Sequence, residues 1–233
     1  MTERRYTSSR SVRLSDVSPK GRLRLDAVAR YLQDVAADDG HDAIGAEADP
    51  WVVRRTTITA ERFPALREEL TVTTWASAAG ARWAERRTSI VGDRGGRVEA
   101  AALWVYVDLD SGRPKRLTEA FWQRYGESVG DRTVHARLTH RDQPADLVSQ
   151  AWRPRFADFD VLGHVNNTVY WAIVEEFMDL SAPVTVELEY RGGIDRGQDV
   201  RVLSAPDCLW ITADDAVAAS ARAGAEPIYS LTP

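Results

Sequence analysis

Apolar positions first fall on a helical period. Leu25, Val28, Leu32 and Val35 recur at intervals of three and four, and so do Tyr170, Ile173, Val174 and Phe177. Each set predicts one amphipathic helix. Asp38-Asp39-Gly40 offers a stop to the first, and the second is expected to end between Asp179 and Pro183. After each helix the period changes to two. Trp51 to Glu61, Glu69 to Ala76, Arg82 to Val91 and Arg97 to Asp108 carry β-branched and aromatic residues between turn signals, and they predict strands. Val184 to Tyr190, Asp199 to Ser204, Cys208 to Thr212 and Ala216 to Arg222 predict shorter ones. Gly92-Asp93-Arg94-Gly95-Gly96 reads as a hairpin connection. It makes a poor phosphate-binding loop, because no helix follows it and no Gly-Lys-Ser/Thr is present.

The two sets belong to a repeat. Sliding the chain by 142 positions puts Arg13 on Arg155, Leu14 on Phe156, Asp16 on Asp158 and Gly21 on Gly163. Leu23 then meets Val165, Val28 meets Tyr170, Tyr31 meets Ile173, Leu32 meets Val174 and Val35 meets Phe177. In both copies a short extended segment is followed by a polar turn, a glycine and a helix. Each half thus reads as a strand, a helix and an antiparallel meander, the hotdog arrangement. The expected fold class is α+β: a double hotdog, two helix-wrapped antiparallel sheets fused in one chain. Residues 1–130 form the N-terminal half, 131–145 a linker with His135, His140 and Pro144, and 146–233 the C-terminal half. A helix over Glu119 to Tyr125 precedes the linker.

Composition narrows the function. The chain has 233 residues, 44% hydrophobic and 28% charged, enough to bury a core and too apolar for a disordered chain. A net charge of −5 with interspersed signs gives no concentrated basic face, so neither nucleic acid nor an anionic membrane is an expected partner. The single cysteine, Cys208, excludes an intramolecular disulfide. Met1 to Val12 is polar and Arg-rich, without the apolar core of a signal peptide, and a cytoplasmic location is expected. His41, His135, His140 and His164 are dispersed, so no metal site and no cofactor are expected. No Gly-x-Ser-x-Gly elbow is present for a Ser-His-Asp hydrolase. The eight tryptophans suit packing, with some free to line an acyl tunnel, and Cys208 sits in an apolar strand.

The densest polar group is Asp158-Phe159-Asp160-Val161-Leu162-Gly163-His164-Val165-Asn166-Asn167-Thr168-Val169-Tyr170, where a strand ends and the second helix begins. A helix N-terminus offers free N–H groups and partial positive charge to a developing oxyanion. Gly163 permits close approach of a thioester carbonyl. Asp160 is placed to activate water or to attack directly, and His164 and Asn166 to orient water, carboxylate or carbonyl. Taken alone, Asp160 serves equally well as a helix-capping acid; with His164 and the Asn pair at this spacing, the catalytic use is favoured. Asp158 is expected to cap or buttress the turn. The sequon at Asn166-Asn167-Thr168 is incidental in a chain without a signal peptide. The first copy has Ser18 for Asp160, Arg22 for His164 and Arg24-Leu25 for Asn166-Asn167, so it keeps the helix face and lacks the reactive groups.

Asp-x-Asp-x-x-Gly-His-Val-Asn-Asn-x-x-Tyr resembles the signature of hotdog thioesterases. The whole chain resembles the acyl-ACP thioesterase family of plants and bacteria, which are double hotdogs, and Val186-Glu187-Leu188-Glu189-Tyr190-Arg191 resembles the strand after their helix. The resemblance implies that Asp160 and His164 are catalytic, that Gly163 and His164 offer oxyanion amides, and that the N-terminal half is the wall of an acyl pocket. By position, Asn166 is added to the catalytic set, and Asp158, Asn167, Tyr170 and Asp195 are expected to support it. The implied substrate is a fatty acyl thioester of acyl carrier protein, with coenzyme A as the alternative carrier, acted on by a monomer or homodimer. Three positions depart from the plant pattern: Leu162 replaces an asparagine, and Gly193-Ile194 replaces Glu-Cys, with Asp195 the nearest acid. A non-catalytic acyl-thioester-binding protein and a hotdog dehydratase or hydratase are the rival readings.

Overall fold

A computed structural model describes residues 3–44, 51–108 and 110–227. The N-terminal half contributes β1 (Tyr6–Ser11), α1 (Leu25–Ile44), β2 (Trp51–Arg62), β3 (Glu69–Ala79), β4 (Trp83–Gly92), β5 (Arg97–Tyr106) and α2 (Glu119–Val129). The C-terminal half contributes β6 (Ser149–Ala151), α3 (Asn167–Phe177), β7 (Val184–Tyr190), β8 (Val200–Ser204), β9 (Cys208–Ala213) and β10 (Ala216–Ala223). The two expected sheets merge into one ten-stranded antiparallel sheet in the order β1-β3-β4-β5-β2-β7-β10-β9-β8-β6. They join through β2 and β7, whose pairing covers two edges that would otherwise expose unpaired backbone. Thr57 faces Glu187 there, flanked by Arg55 with Glu189 and Thr59 with Thr185. The first long strands after α1 and α3 thus meet antiparallel, with Thr57 and Glu187 near the middle of the pairing.

The helices lie on the sheet and bury the predicted apolar faces. Leu25, Val28, Leu32 and Val35 of α1 and Tyr170, Ile173 and Val174 of α3 are buried in one core with Ile58 of β2 and Val186 and Leu188 of β7. Each such large apolar side chain contributes roughly 1.5–3 kcal/mol on removal from water. α1 does not stop at Asp38-Asp39-Gly40; it runs on to Ile44. The reason is tertiary. Asp39 is buried and accepts from Arg4 Nε at 2.8 Å, Arg86 Nη1 at 2.6 Å and Tyr125 Oη at 3.1 Å, so its carboxylate need not face water at a helix end. α2 starts at its cap Thr118, whose hydroxyl accepts from the Phe121 N–H. It packs Phe121, Tyr125 and Val129 against Ala76, Ala79 and Ala84.

The repeat is geometric as well as sequential. Leu14–Asp16 and Phe156–Asp158 each form one short 3-10 turn, and the backbone N–H of the preceding arginine donates to the third residue's carboxylate (Arg13 to Asp16 at 3.1 Å, Arg155 to Asp158 at 2.7 Å). Gly21 and Gly163 follow with φ of 75° and 83°, the left-handed region that glycine enters at no steric cost. The polar stretch between the halves is not slack. Trp83 Nε1 donates to Val134 O at 2.7 Å, Thr139 and His140 N–H donate to Glu189, and Trp210 Nε1 donates to Arg141 O at 3.1 Å. Among the described residues no helix is long and apolar enough to cross a membrane.

Candidate active site

The motif residues form a tight loop between the second 3-10 turn and α3. Asp160 N–H donates to His164 O at 2.8 Å and Gly163 N–H to Asp160 O at 3.0 Å, closing the turn that the positive φ of Gly163 requires. The Asp160 carboxylate folds back over it, Oδ1 accepting from Leu162 N–H at 2.9 Å and His164 N–H at 3.3 Å. Val165 N–H donates to Ile194 O at 2.9 Å, which ties the loop to the turn between β7 and β8.

That turn brings Asp195 to the imidazole. His164 Nε2 lies 3.2 Å from Asp195 Oδ1, with the two side chains 49% and 64% exposed, so both are open to a substrate from solvent. Gln198 Oε1 accepts from Asp195 N–H at 2.7 Å and holds the turn. Gly193 lies under the ring: a Cβ there would stand 3.2 Å from His164 Cδ2 and 3.3 Å from Cγ. The plant-type glutamate position is therefore floor for the imidazole, and an acid two residues later faces it. Leu162 is exposed and presents its apolar side chain to solvent.

The other named residues divide. Tyr170 is buried below the loop. Burial above all, with the charges of Asp160 and Asp195 added, holds its phenol protonated far above the ordinary range, against an opposing backbone hydrogen bond at Ile194. Asn167 opens α3, and its carbonyl accepts from Tyr190 Oη at 3.2 Å. Asp158 is buried and paired with Arg155 at 2.8 Å, a buttress for the turn.

Asn166 Oδ1 is not free: it caps α3, accepting from Thr168 N–H at 3.0 Å and Thr168 Oγ1 at 2.9 Å. Nor are the Gly163 and His164 amides open for an oxyanion in this conformation, since both donate to Asp160. A helix start and a tight turn need these groups for themselves, a competition that spacing alone does not display.

In the N-terminal copy, the arginine at the histidine position forms an ion pair with Glu175 of α3 (Arg22 Nη1 to Oε1, 2.5 Å), and Arg24 binds Asp26 at 2.7 Å. These are fixed structural contacts. Among the described residues, His140, Glu187 and Glu189 bring possible ligand atoms within 4.8 Å of one another. They are already committed. His140 bridges Glu187 Oε1 and the Ser220 carbonyl at 3.1 Å each, Arg55 and Arg222 flank Glu187, and Glu189 accepts two backbone N–H groups. Cys208 is buried, and burial pushes its thiol above the ordinary value, which disfavours a nucleophilic thiolate.

A cavity of about 320 Å³ opens in the N-terminal half, lined by Gln33, Ala36, Ala37 and Gly40 of α1, by Trp51, Trp104 and Tyr106 of the sheet, and by Phe121 of α2. The small residues on α1 leave the space, and the aromatic rings make most of its wall apolar.

Family models for the acyl-ACP thioesterase N-terminal and C-terminal domains match residues 3–125 and 142–225. An uncharacterised protein of Mycobacterium tuberculosis is 34% identical over 202 residues, 84% of this chain and 81% of that one. The chloroplastic oleoyl-acyl carrier protein thioesterase 2 of Arabidopsis thaliana is 25% identical over 217 residues; the match covers 80% of this chain and 59% of the longer plant protein. The crystal structure of an acyl-ACP thioesterase from Bacteroides thetaiotaomicron superposes with a TM-score of 0.80 at 16% identity, covering 94% of this chain and 96% of that one. The 12:0-ACP thioesterase from Umbellularia californica superposes with a TM-score of 0.74 at 21% identity, covering 94% and 92%.

Proposed function

The chain belongs to the acyl-ACP thioesterase family, and from that premise we propose that it hydrolyses fatty acyl-ACP at the loop carrying Asp160 and His164. The observation that carries the site assignment is that two carboxylates flank His164 by different routes: Asp160 accepts from its backbone N–H at 3.3 Å, and Asp195 faces the imidazole Nε2 at 3.2 Å. Asp160 acts as the base on a water molecule that attacks the thioester carbonyl, or attacks the carbonyl itself to give an acyl anhydride that water then hydrolyses; His164, oriented by Asp195, holds the water and passes a proton to the departing thiolate. The C–S bond breaks, a free fatty acid remains and the carrier leaves as its thiol. Tyr170, kept neutral by burial, supports the loop from below.

The halves divide the work. Residues 1–130 shape the acyl pocket, with the apolar cavity between α1, α2 and the sheet as the seat of the chain. Residues 131–145 link and strap, and residues 146–233 carry the chemistry. The enzyme works in the cytoplasm as a monomer or homodimer, and acyl carrier protein is the carrier, with coenzyme A the alternative. The test is thiol release from matched acyl-ACP and acyl-CoA substrates of graded chain length. Faster release from acyl-ACP supports this reading, equal or faster release from acyl-CoA reassigns the carrier, and tight binding without release makes the protein an acyl-thioester binder.

A further inference from the structure

The repeat pairs Arg22 with His164, Leu25 with Asn167 and Gln33 with Glu175. The C-terminal member of the last pair crosses to the helix opening of the N-terminal copy. Glu175, late on α3, reaches the opening of α1, where Oε1 binds Arg22 Nη1 at 2.5 Å and Oε2 accepts from Leu25 N–H at 2.8 Å. By the repeat register and the antiparallel meeting of β2 and β7, Gln33, late on α1, is the counterpart that would reach toward the opening of α3, where His164 stands.

A separate observation supports the placement. Gln33 is half-buried and is the polar residue on the α1 wall of the cavity, beside Ala36, Ala37 and Gly40. An acyl chain seated in that cavity would run past Gln33.

The change of residue type is the informative part. A carboxylate suits the first copy, where it neutralises Arg22. At the second it would stand near Asp160 and Asp195, repelling both and any oxygen that gains negative charge. A glutamine keeps the length, removes the charge and adds two N–H donors.

We propose that Gln33 holds the substrate, its side-chain N–H donating to the thioester carbonyl oxygen while the carbonyl carbon faces Asp160. The inference rests on the thioesterase reading and adds the donor that Gly163 and His164, both engaged by Asp160, do not supply in this conformation.

The test compares steady-state hydrolysis of one acyl-ACP substrate by wild type, Gln33→Met, Gln33→Glu and Asp160→Ala, with thermal unfolding of each. Gln33→Met keeps bulk and removes the donors; kcat is expected to fall about 100-fold, as for loss of one oxyanion donor, with KM and the unfolding midpoint little changed. Gln33→Glu is expected to lose at least as much at neutral pH. If Gln33→Met keeps kcat within twofold, or raises KM alone, while Asp160→Ala is inactive, the role of Gln33 is overturned and the thioesterase stands. A wild type that turns over no acyl thioester removes both.

Discussion

His164 Nε2 stands 3.2 Å from Asp195 Oδ1, and the ring of the same histidine lies over Gly193. One short turn between β7 and β8 thus supplies both the acid partner and the flat surface that orient the imidazole. Both groups are exposed, so the pair contributes little to stability.

Removing the acid should therefore separate activity from stability. Asp195→Asn is expected to lower kcat roughly 10- to 100-fold, a part of the 10²- to 10⁴-fold that a positioned acid–base group supplies. The unfolding midpoint should stay within a degree or two. A variant with unaltered kcat would free His164 from any dependence on Asp195.

Gly193→Ala tests the floor beneath the ring. A methyl group 3.2 Å from Cδ2 is closer than ordinary packing tolerates, and the exposed imidazole is the part that can give way. Activity should fall at least tenfold with stability nearly unchanged, as expected when a catalytic group is displaced by about an ångström. Full activity in Gly193→Ala would show that the position of the ring is not critical.

Glu175→Ala should do the reverse. It leaves Arg22 and the Leu25 N–H at the opening of α1 without their partner. The expected cost is about 1–3 kcal/mol of stability, read as a lower denaturant midpoint with kcat largely retained. Loss of activity at full stability would put Glu175 in the mechanism instead.

The seam between the halves should weaken in acid. The hydrogen bond from His140, ahead of the opposing burial and the charges of Arg55 and Arg222, holds the Glu187 carboxyl below its ordinary 4.5. A folded-state value below the unfolded one gives stability that is present above about 4.5 and lost as pH falls through the lower folded value. Chemical denaturation between pH 3 and 6 should show this limb in wild type and a shallower one in Glu187→Gln. Parallel curves for the two proteins would remove Glu187 as its source.

The local elements were legible because the helices and meander strands bury one face each. The period of Leu25, Val28, Leu32 and Val35 and that of Tyr170, Ile173 and Val174 mark those faces directly. The motif from Asp158 to Tyr170 was legible as a unit because its spacing closes one turn. What escaped depends on partners distant in sequence. The extension of α1 past Asp39 needs Arg4, Arg86 and Tyr125; the joining of two sheets into one needs β2 to meet β7; and the strap over the sheet needs Glu187 and Glu189 beneath Thr139 and His140. The capping role of Asn166 escaped because a cap and a catalytic carboxamide look alike in sequence. Gln33 carried a signal, its register with Glu175 in the repeat, that gains meaning only once Glu175 is seen at the opening of α1.

In the proposed mechanism thioester hydrolysis depends on the Asp160 carboxylate. Thiol release from acyl-ACP, measured for wild type and Asp160→Ala side by side with their unfolding midpoints, is the decisive measurement. The expected result is turnover by wild type and a loss of at least 10²-fold in a mutant that unfolds at nearly the same temperature. A folded Asp160→Ala protein that keeps most of the wild-type rate would contradict it and move the chemistry away from this loop.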